Sequence, residues 1–552
     1  MHYGKHITKN VPQSEQADER QKQNNAGGFS FTVDKWGRLQ RFLVLGSENG
    51  TYYATERKLT KDNAKNVLAC LDEDPRRAVE MIVEVSVAGR APKNDPAVFA
   101  LALAASHKNQ KAREAALAAL PRVCRIGTHL FHFAREVESQ RGWGKALRRA
   151  FSDWYSREAD KVAYDMVKYQ QRDGWSHKDI LRLSHATPVT PQHAALFRYI
   201  VAGSDGFGMR EVRRSKAGPV QQYEPVDKRD LPFILEGFEK AKSLGKSPKE
   251  LATVIREYGL THEMIPTEAK NHLAVWEALV EKMPMTALVR NLGKLTQIGI
   301  MNDTAQAKRL AGVLTDQAAL KKARVHPLSL LNALGVYQQG HGDKGKLIWS
   351  PNKYILTALD EAFYLAFGTV EPTGKRTLLA LDVSGSMSGP ALAGMTGVTP
   401  RTGSAAMAMV TARAEKDWSI VGFTSGSGGY WDAALTPLKI TPSQRLEDIV
   451  KSISNLPFGG TDCALPMVWA KQNKAKFDTF VVYTDNETWA GKVHPHQALK
   501  DYRMAMGIPA KLIVVGMTST EFTIADPSDT GMLDVVGFDT AAPNVMSEFA
   551  RS

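Results

Sequence analysis

Asp382, Ser384 and Ser386 occupy alternate positions of the stretch Asp382-Val-Ser-Gly-Ser386. They follow the apolar run Thr377–Leu381, so a strand ending at Asp382 turns every second side chain of the outgoing loop toward one point. One carboxylate and two hydroxyls suit a hard cation such as Mg²⁺, which takes oxygen ligands and keeps several of its waters. Two later loops carry the same chemistry. Gly459-Gly-Thr-Asp462 offers Thr461 behind two glycines that permit close backbone approach, and Asp485 follows the apolar run Thr479–Tyr483. Asp382, Ser384, Ser386, Thr461 and Asp485 are therefore the expected metal ligands. Alone, Asp-x-Ser-x-Ser reads more readily as a serine-rich turn; the three loops together, in this order on strand-rich texture, favour the cation.

A second constellation is basic. Lys161–Arg172 is read as a helix stopped by Asp173-Gly174, with Lys161, Asp165, Lys168 and Arg172 on one face. Ser176 and Asp179 have the spacing of a capping box for a following helix, on which Lys178, Arg182 and His185 fall at i, i+4 and i+7. With Trp175 and His177 at the turn, the pair of helices is expected to offer Lys168, Arg172, His177, Lys178, Arg182 and His185 to RNA. Guanidinium and ammonium groups take phosphates, while indole and imidazole rings stack on unpaired bases. A solvated polar face, with His185 at a helix end, fits the same spacing equally well. A third motif, Gly340-His-Gly-Asp-Lys-Gly-Lys346, imitates a phosphate-binding loop, but Leu347 stands where Ser or Thr is needed and the preceding pattern is helical.

The elements that must position these groups differ between the two parts of the chain. From about residue 60 to 368 the apolar period is helical. In Lys145–Tyr155, Ala146, Leu147, Ala150, Phe151 and Trp154 form one stripe, opposite Lys145, Arg148 and Arg149. Lys111–Leu120 and Asn271–Leu295 read the same way, and such a succession predicts stacked helical pairs. After Val370–Lys375 the texture becomes short runs rich in branched residues: Thr377–Asp382, Trp418–Phe423, Thr479–Tyr483 and Lys511–Val515. Separated by helical stretches, these predict buried parallel strands of an α/β sheet, whose ligands sit at the carboxyl ends of the strands. Residues 1–27 are polar and read as a flexible segment.

Composition narrows the function classes. From Glu371 to the end stand 16 Lys+Arg and 18 Asp+Glu, against 71 and 58 in the whole chain, so the part before Glu371 carries a net +15. A basic excess confined to the helical part favours a polyanion, most often nucleic acid. The longest apolar run, Ala97–Ala105, is far short of the roughly 20 residues that span a bilayer. No signal peptide is read at the N-terminus, and Cys70, Cys124 and Cys463 form neither a disulfide framework nor paired zinc ligands. No membrane partner and a cytoplasmic setting are expected.

The three-loop pattern from 372 to 552 closely resembles the metal-ion-dependent adhesion site (MIDAS) of von Willebrand factor A domains. That resemblance implies a coordination position left open for a partner's carboxylate. A haloacid-dehalogenase-type phosphotransferase would need a second Asp where Ser384 stands, so no catalytic residue is assigned. From about residue 28 to the end the chain resembles the TROVE-domain proteins of the Ro autoantigen family. The matching stretches are Lys168–His185, Arg41-Phe-Leu-Val-Leu-Gly-Ser-Glu-Asn-Gly-Thr-Tyr-Tyr53, Met283-Pro-Met-Thr-Ala-Leu-Val-Arg-Asn-Leu-Gly-Lys294 and Thr484-Asp-Asn-Glu-Thr-Trp-Ala-Gly491. The resemblance implies a ring of HEAT-like helical repeats (28–370) closed by a C-terminal, Rossmann-like von Willebrand A domain (371–552).

It also implies binding of small noncoding Y-like RNAs outside the ring through Lys168, Arg172 and His185, and of single-stranded 3′ ends of misfolded or unprocessed RNAs in its hole. An exoribonuclease or another protein is the implied partner of a monomeric scaffold in RNA quality control. Gln170 departs from the vertebrate pattern, which has Lys, and removes one charge from this face. Residues 200–260, including Gly203–Gly208, match least and receive no function. Two rivals follow from the same residues: a metal-dependent protein-interaction scaffold with no RNA role, and a metal-dependent hydrolase using Asp382 and Asp485, for which no nucleophile or general base can be named.

Overall fold

A computed structural model describes residues 10–204, 227–342, 346–368, 370–395, 398–425, 435–454 and 459–552. Residues 200–260, which receive no function from the sequence, therefore lie partly outside the described residues, as do positions 343–345 of the P-loop imitation. Two compact units emerge: residues 1–70, 88–96 and 308–552 form one, and residues 71–87 and 97–307 the other. Helices give way to the sheet between Leu365 and Thr377, near the boundary expected at 370/371, but the compact unit containing the sheet also takes in residues 1–70, 88–96 and 308–370.

Eleven strands are described: β1 (Lys22–Gln23), β2 (Phe29–Thr32), β3 (Gln171–Arg172), β4 (Trp175–Ser176), β5 (Thr377–Asp382), β6 (Trp418–Phe423), β7 (Leu435–Pro437), β8 (Thr479–Thr484), β9 (Lys511–Gly516), β10 (Phe522–Thr523) and β11 (Met532–Val536). Six form one sheet in the order β11-β9-β8-β5-β6-β7, parallel except for β7 against β6. All six residues of β5 and of β8 are buried. A central parallel strand covered on both faces has no solvent side, hence the continuous apolar runs in the sequence. Leu378, Val421, Phe480, Val482, Leu512 and Val514 share a core with Met467, Leu499 and Tyr502 of the flanking helices Leu465–Gln472 and Pro495–Met506. Because β5 and β8 are parallel neighbours, with Leu381 opposite Tyr483, Asp382 and Asp485 leave the sheet at the same edge.

Of the segment 1–27 expected to be flexible, residues 1–9 lie outside the described residues, and from Asn10 onward it is instead fixed in this unit. Gln13 Nε2 donates to Asp462 at 2.8 Å and to the Val493 carbonyl at 2.7 Å. Asn24 Nδ2 donates to the Thr488 carbonyl at 2.7 Å, and Asn25 Nδ2 to Glu487 at 2.7 Å. β2 pairs antiparallel with β1 and with β10. Its polar side chains thus serve as hydrogen-bond partners for loops of the sheet, and polarity here marks buried satisfaction instead of solvation. The following helix, Lys35–Leu45, is capped by Asp34, whose side chain accepts from the Gly37 amide at 2.7 Å. Its Arg41 is buried; Nη1 donates to the carbonyls of Thr520 (3.0 Å) and Phe522 (2.7 Å), and Nη2 to Asp534 (2.5 Å).

The helical unit is built from short helices with conventional ends. Asn109 caps Gln110–Val123, and Thr190 with Pro191 opens Pro191–Ala202. Lys145–Tyr155 is helical as expected, whereas the single stretch read over Asn271–Leu295 is two helices, Leu273–Glu281 and Met285–Gln297, broken at Pro284. The helices Phe233–Ser243 and Pro248–Tyr258 approach so closely that a Cβ on Gly237 would lie 2.3 Å from Tyr258 Cβ. No helix among the described residues is long and apolar enough to cross a membrane.

Arg41→Ala should leave the Thr520 and Phe522 carbonyls without this donor and Asp534 with only the Thr523 hydroxyl. We expect a loss of about 3–5 kcal/mol in thermal or denaturant unfolding; an unchanged melting temperature would contradict a structural role for this ion pair.

Candidate nucleic-acid interface and candidate metal centre

The five expected cation ligands are all buried: Asp382, Ser384, Ser386, Thr461 and Asp485 are 0, 1, 4, 1 and 2% exposed. Asp382 accepts from the Ser384 amide at 2.9 Å and from the Thr484 hydroxyl at 2.7 Å, and the Ser384 and Ser386 hydroxyls lie 3.1 Å apart. The Thr461 hydroxyl is buried with no hydrogen-bond partner, an orphaned oxygen of the kind a cation satisfies. Burial raises the pKa of Asp382, and burial together with the nearby Asp382 and Glu487 charges raises that of Asp485 well above the carboxylate range. Two buried carboxylates facing each other favour a bound positive charge.

Glu487 has other duties, its carboxylate held by the Asn25 amide and side chain, both at 2.7 Å. Among the described residues no three His, Cys, Asp or Glu side chains are arranged to hold a metal, so a cation here would depend on the serine and threonine hydroxyls. The donor set therefore fits a hard ion such as Mg²⁺. The sequence reading missed Tyr53, whose hydroxyl hydrogen-bonds Ser386 and whose pKa burial pushes up to about 12; nothing local links the two positions.

The basic constellation is built differently from the expected pair of helices. The first helix ends at Lys168, and β3 and β4 form an antiparallel hairpin with Arg172 opposite Trp175. Asp173 (φ 54) and Gly174 (φ 80) both lie in the left-handed region, the conformation of a two-residue type I′ turn. Asp-Gly here makes a hairpin, not a helix stop. The Asp173 carboxylate pairs with His132 and lies 3.3 Å from Arg135, both on the helix Gly127–Gln140. The Ser176–Asp179 capping box is present and starts the helix His177–Ser184.

Two further expectations are overturned by burial. His177 is not at the RNA-facing surface: it is 2% exposed, shares a 2.9 Å hydrogen bond with the Tyr155 hydroxyl, and packs on Phe131 and Trp154. Burial holds its pKa down to about 4, so it is a neutral core residue, and Trp175 beside it is buried too. Asp165 is likewise buried, 3.0 Å from Arg157, whose guanidinium lies 3.7 Å over the Trp154 ring. Its carboxyl is pushed up to about 6 by burial, in spite of Arg157.

Four of the expected residues remain at the surface, beside the exposed Asp179 and Leu183. Arg172 has 63% of its side chain exposed, and Lys178, Arg182 and His185 are exposed on or at the end of the helix that follows. His185 closes that helix in a left-handed conformation (φ 53), so its end-of-helix reading holds while its ring faces solvent. Lys168 is the least available of the set, with 10% of its side chain exposed and Nζ donating to the Tyr164 hydroxyl at 3.1 Å. Gln170 is exposed. Arg135, half-exposed beside the turn, joins this group; the sequence, in which Asp-Gly reads as a helix stop, gives no local signal for it.

Comparisons with known proteins cover nearly the whole chain. The TROVE domain profile matches residues 22–231 and 257–336, and that of the Ro60 vWA domain matches residues 376–550. The RNA-binding protein RO60 of Deinococcus radiodurans is 43% identical over 548 residues, 98% of this chain and 97% of that protein. The RNA-binding protein RO60 of Caenorhabditis elegans is 36% identical over 605 residues, 98% and 92% of the two chains. The crystal structure of the Deinococcus radiodurans RO (RSR) protein aligns with a TM-score of 0.68 at 42% identity, covering 94% of this chain and 99% of that one.

The buried His177 has a testable pH signature. Its folded pKa lies below that of an unfolded histidine, so its stabilising contribution is full above pH 6.5 and is lost as pH falls toward 4. Asp165, raised in the fold, acts in the opposite sense over an overlapping range, but it is common to wild type and His177→Gln. The stability lead of wild type over His177→Gln should therefore be about 2 kcal/mol smaller at pH 5 than at pH 7. A lead that is constant or grows on acidification would contradict the buried, neutral assignment.

Proposed function

This chain belongs to the Ro60 family, and from that premise we propose that it is an RNA-binding scaffold whose basic hairpin and following helix receive RNA phosphates. The observation that carries this reading is the exposed cluster Arg172, Lys178, Arg182 and His185 on a hairpin locked to its neighbouring helix by Asp173. The net +15 before Glu371 supports it, because phosphate neutralisation supplies most non-specific affinity. The names of the relatives, both RNA-binding proteins, support it independently and support reading the chain as a binder without catalysis.

Within that reading, the ligands are small noncoding Y-like RNAs and the single-stranded 3′ ends of misfolded or unprocessed RNAs, and an exoribonuclease is the protein partner. The scaffold acts as a monomer in the cytoplasm; burial of all three cysteines, Cys70, Cys124 and Cys463, suits a reducing compartment. Mg²⁺ would be held by Asp382, Ser384, Ser386, Thr461 and Asp485. When bound it would supply a fixed positive charge between the two buried carboxylates; the chain's own part is to present those oxygens, already turned inward, on three strand-end loops.

One titration series tests the division of labour. Affinity for a structured RNA with a single-stranded tail should fall by roughly a hundredfold or more between 50 and 200 mM salt. Arg172→Ala, Lys178→Ala and Arg182→Ala should each weaken binding and flatten the salt slope. Asp382→Ala should leave RNA affinity nearly unchanged while abolishing the rise in melting temperature that Mg²⁺ gives wild type. Salt-independent binding, or loss of RNA affinity in a folded Asp382→Ala protein, would overturn the assignment.

A further inference from the structure

The stretch Met283–Lys294 is one of the family-like motifs, yet nothing above gives it a task. In the helical unit its first residues, Met283, Pro284 and Ala287, line a cavity of about 140 Å³. The cavity lies at the ends of the helices Pro248–Tyr258 and Leu273–Glu281 and the start of Met285–Gln297. Its floor is apolar, with Ile255, Leu260, Leu279 and Ala287 all buried. Polar side chains also line it, Arg256, His262, Glu281 and Lys282, with the half-exposed Arg256 Nε 2.9 Å from Glu281 and Lys282 as the cation beyond that pair.

One wall is Tyr164, the residue whose hydroxyl accepts from Lys168 Nζ at 3.1 Å. The cavity therefore begins where the cations of the hairpin region end. Pro284 opens the helix Met285–Gln297 without a side-chain cap, which adds to the preference of the mouth for negative charge. The volume is well below the roughly 300–1,000 Å³ of a drug-sized site, so it suits one flat ring system.

We propose that this cavity receives a single unpaired base of a bound RNA strand, whose backbone phosphates lie against Arg256 and Lys282. The proposal rests on the RNA-binding reading above and deepens it. An apolar floor accepts the π-face of any base without reading its edge, and the cations at the mouth hold the flanking phosphates. A base inside a stem cannot enter, because it is paired and stacked. The pocket would thus separate RNAs with single-stranded segments from blunt duplexes.

Two RNAs sharing one stem test it, one blunt and one carrying a single-stranded tail. Ala287→Phe fills the cavity from its floor, and Arg256→Ala trims the mouth without touching the core. Each should weaken the tailed RNA by about five- to tenfold, the scale of one lost base contact, and leave the blunt RNA within about twofold of wild type. A 2-aminopurine in the tail should be quenched by wild type and less so by Ala287→Phe. Unchanged affinity of both variants for the tailed RNA, or equal losses for both RNAs, overturns the pocket while the RNA-binding reading stands. Failure of wild type to bind either RNA overturns that reading itself. Should Ala287→Phe lose its melting transition, Arg256→Ala decides.

Discussion

The geometry of the basic hairpin hangs on Asp173. Held in the left-handed region beside Gly174, it turns the chain back within two residues, and its carboxylate pairs with His132 and Arg135 of the helix Gly127–Gln140. A type I′ turn admits little else at this position than Asn, Asp or Gly. Because the turn is fixed at both backbone and side chain, Arg172 comes out opposite the buried Trp175, and the capping box at Ser176 starts the cationic helix immediately afterwards. Beneath it, Tyr155, Trp154, Phe131 and His177 pack as a ring cluster that excludes water. Arg157 lies against Trp154 and pairs with Asp165 at its edge. The surface cations are thus displayed by an aromatic-cored support, which would lower the ordering cost of the proposed phosphate contacts.

The unit containing the sheet solves a different electrostatic problem. Parallel β5 and β8 deliver Asp382 and Asp485 to one sheet edge, where both are buried and each disfavours ionisation of the other. Serine and threonine hydroxyls surround them, and the N-terminal segment from Gln13 to Asn25 clamps the neighbouring loops at Asp462, Glu487 and Thr488. That clamp takes Glu487 out of the cluster by giving it its own donors. The chain segment that looks least structured in composition thereby belongs to the framework around the candidate cation site.

Much of this was legible before any coordinates. The β5, β6, β8 and β9 runs were read almost residue for residue, because strands buried on both faces cannot hide their apolar continuity. Lys145–Tyr155 was legible for the equivalent helical reason. The failures share one cause, information held by distant residues. Asp-Gly stops a helix or turns a hairpin with equal local propriety, and contacts from Gly127–Gln140 decide which. His177 beside Trp175 reads as a base-stacking pair until Tyr155 and Phe131 close over the imidazole. Gln13 finds its partner Asp462 across 449 residues of chain, a distance no composition rule spans.

The central claim is that RNA sits on the exposed cations of the hairpin and the helix His177–Ser184 and not on the loops around Asp382. The most direct measurement is photo-crosslinking of a tailed structured RNA to the intact protein, followed by peptide mapping. The account predicts crosslinks concentrated in peptides from about residue 130 to 185, including Arg172 and Lys178, with none dominating beyond Glu371. Crosslinks confined to the segment after Glu371, with the hairpin peptides unmodified, would contradict it.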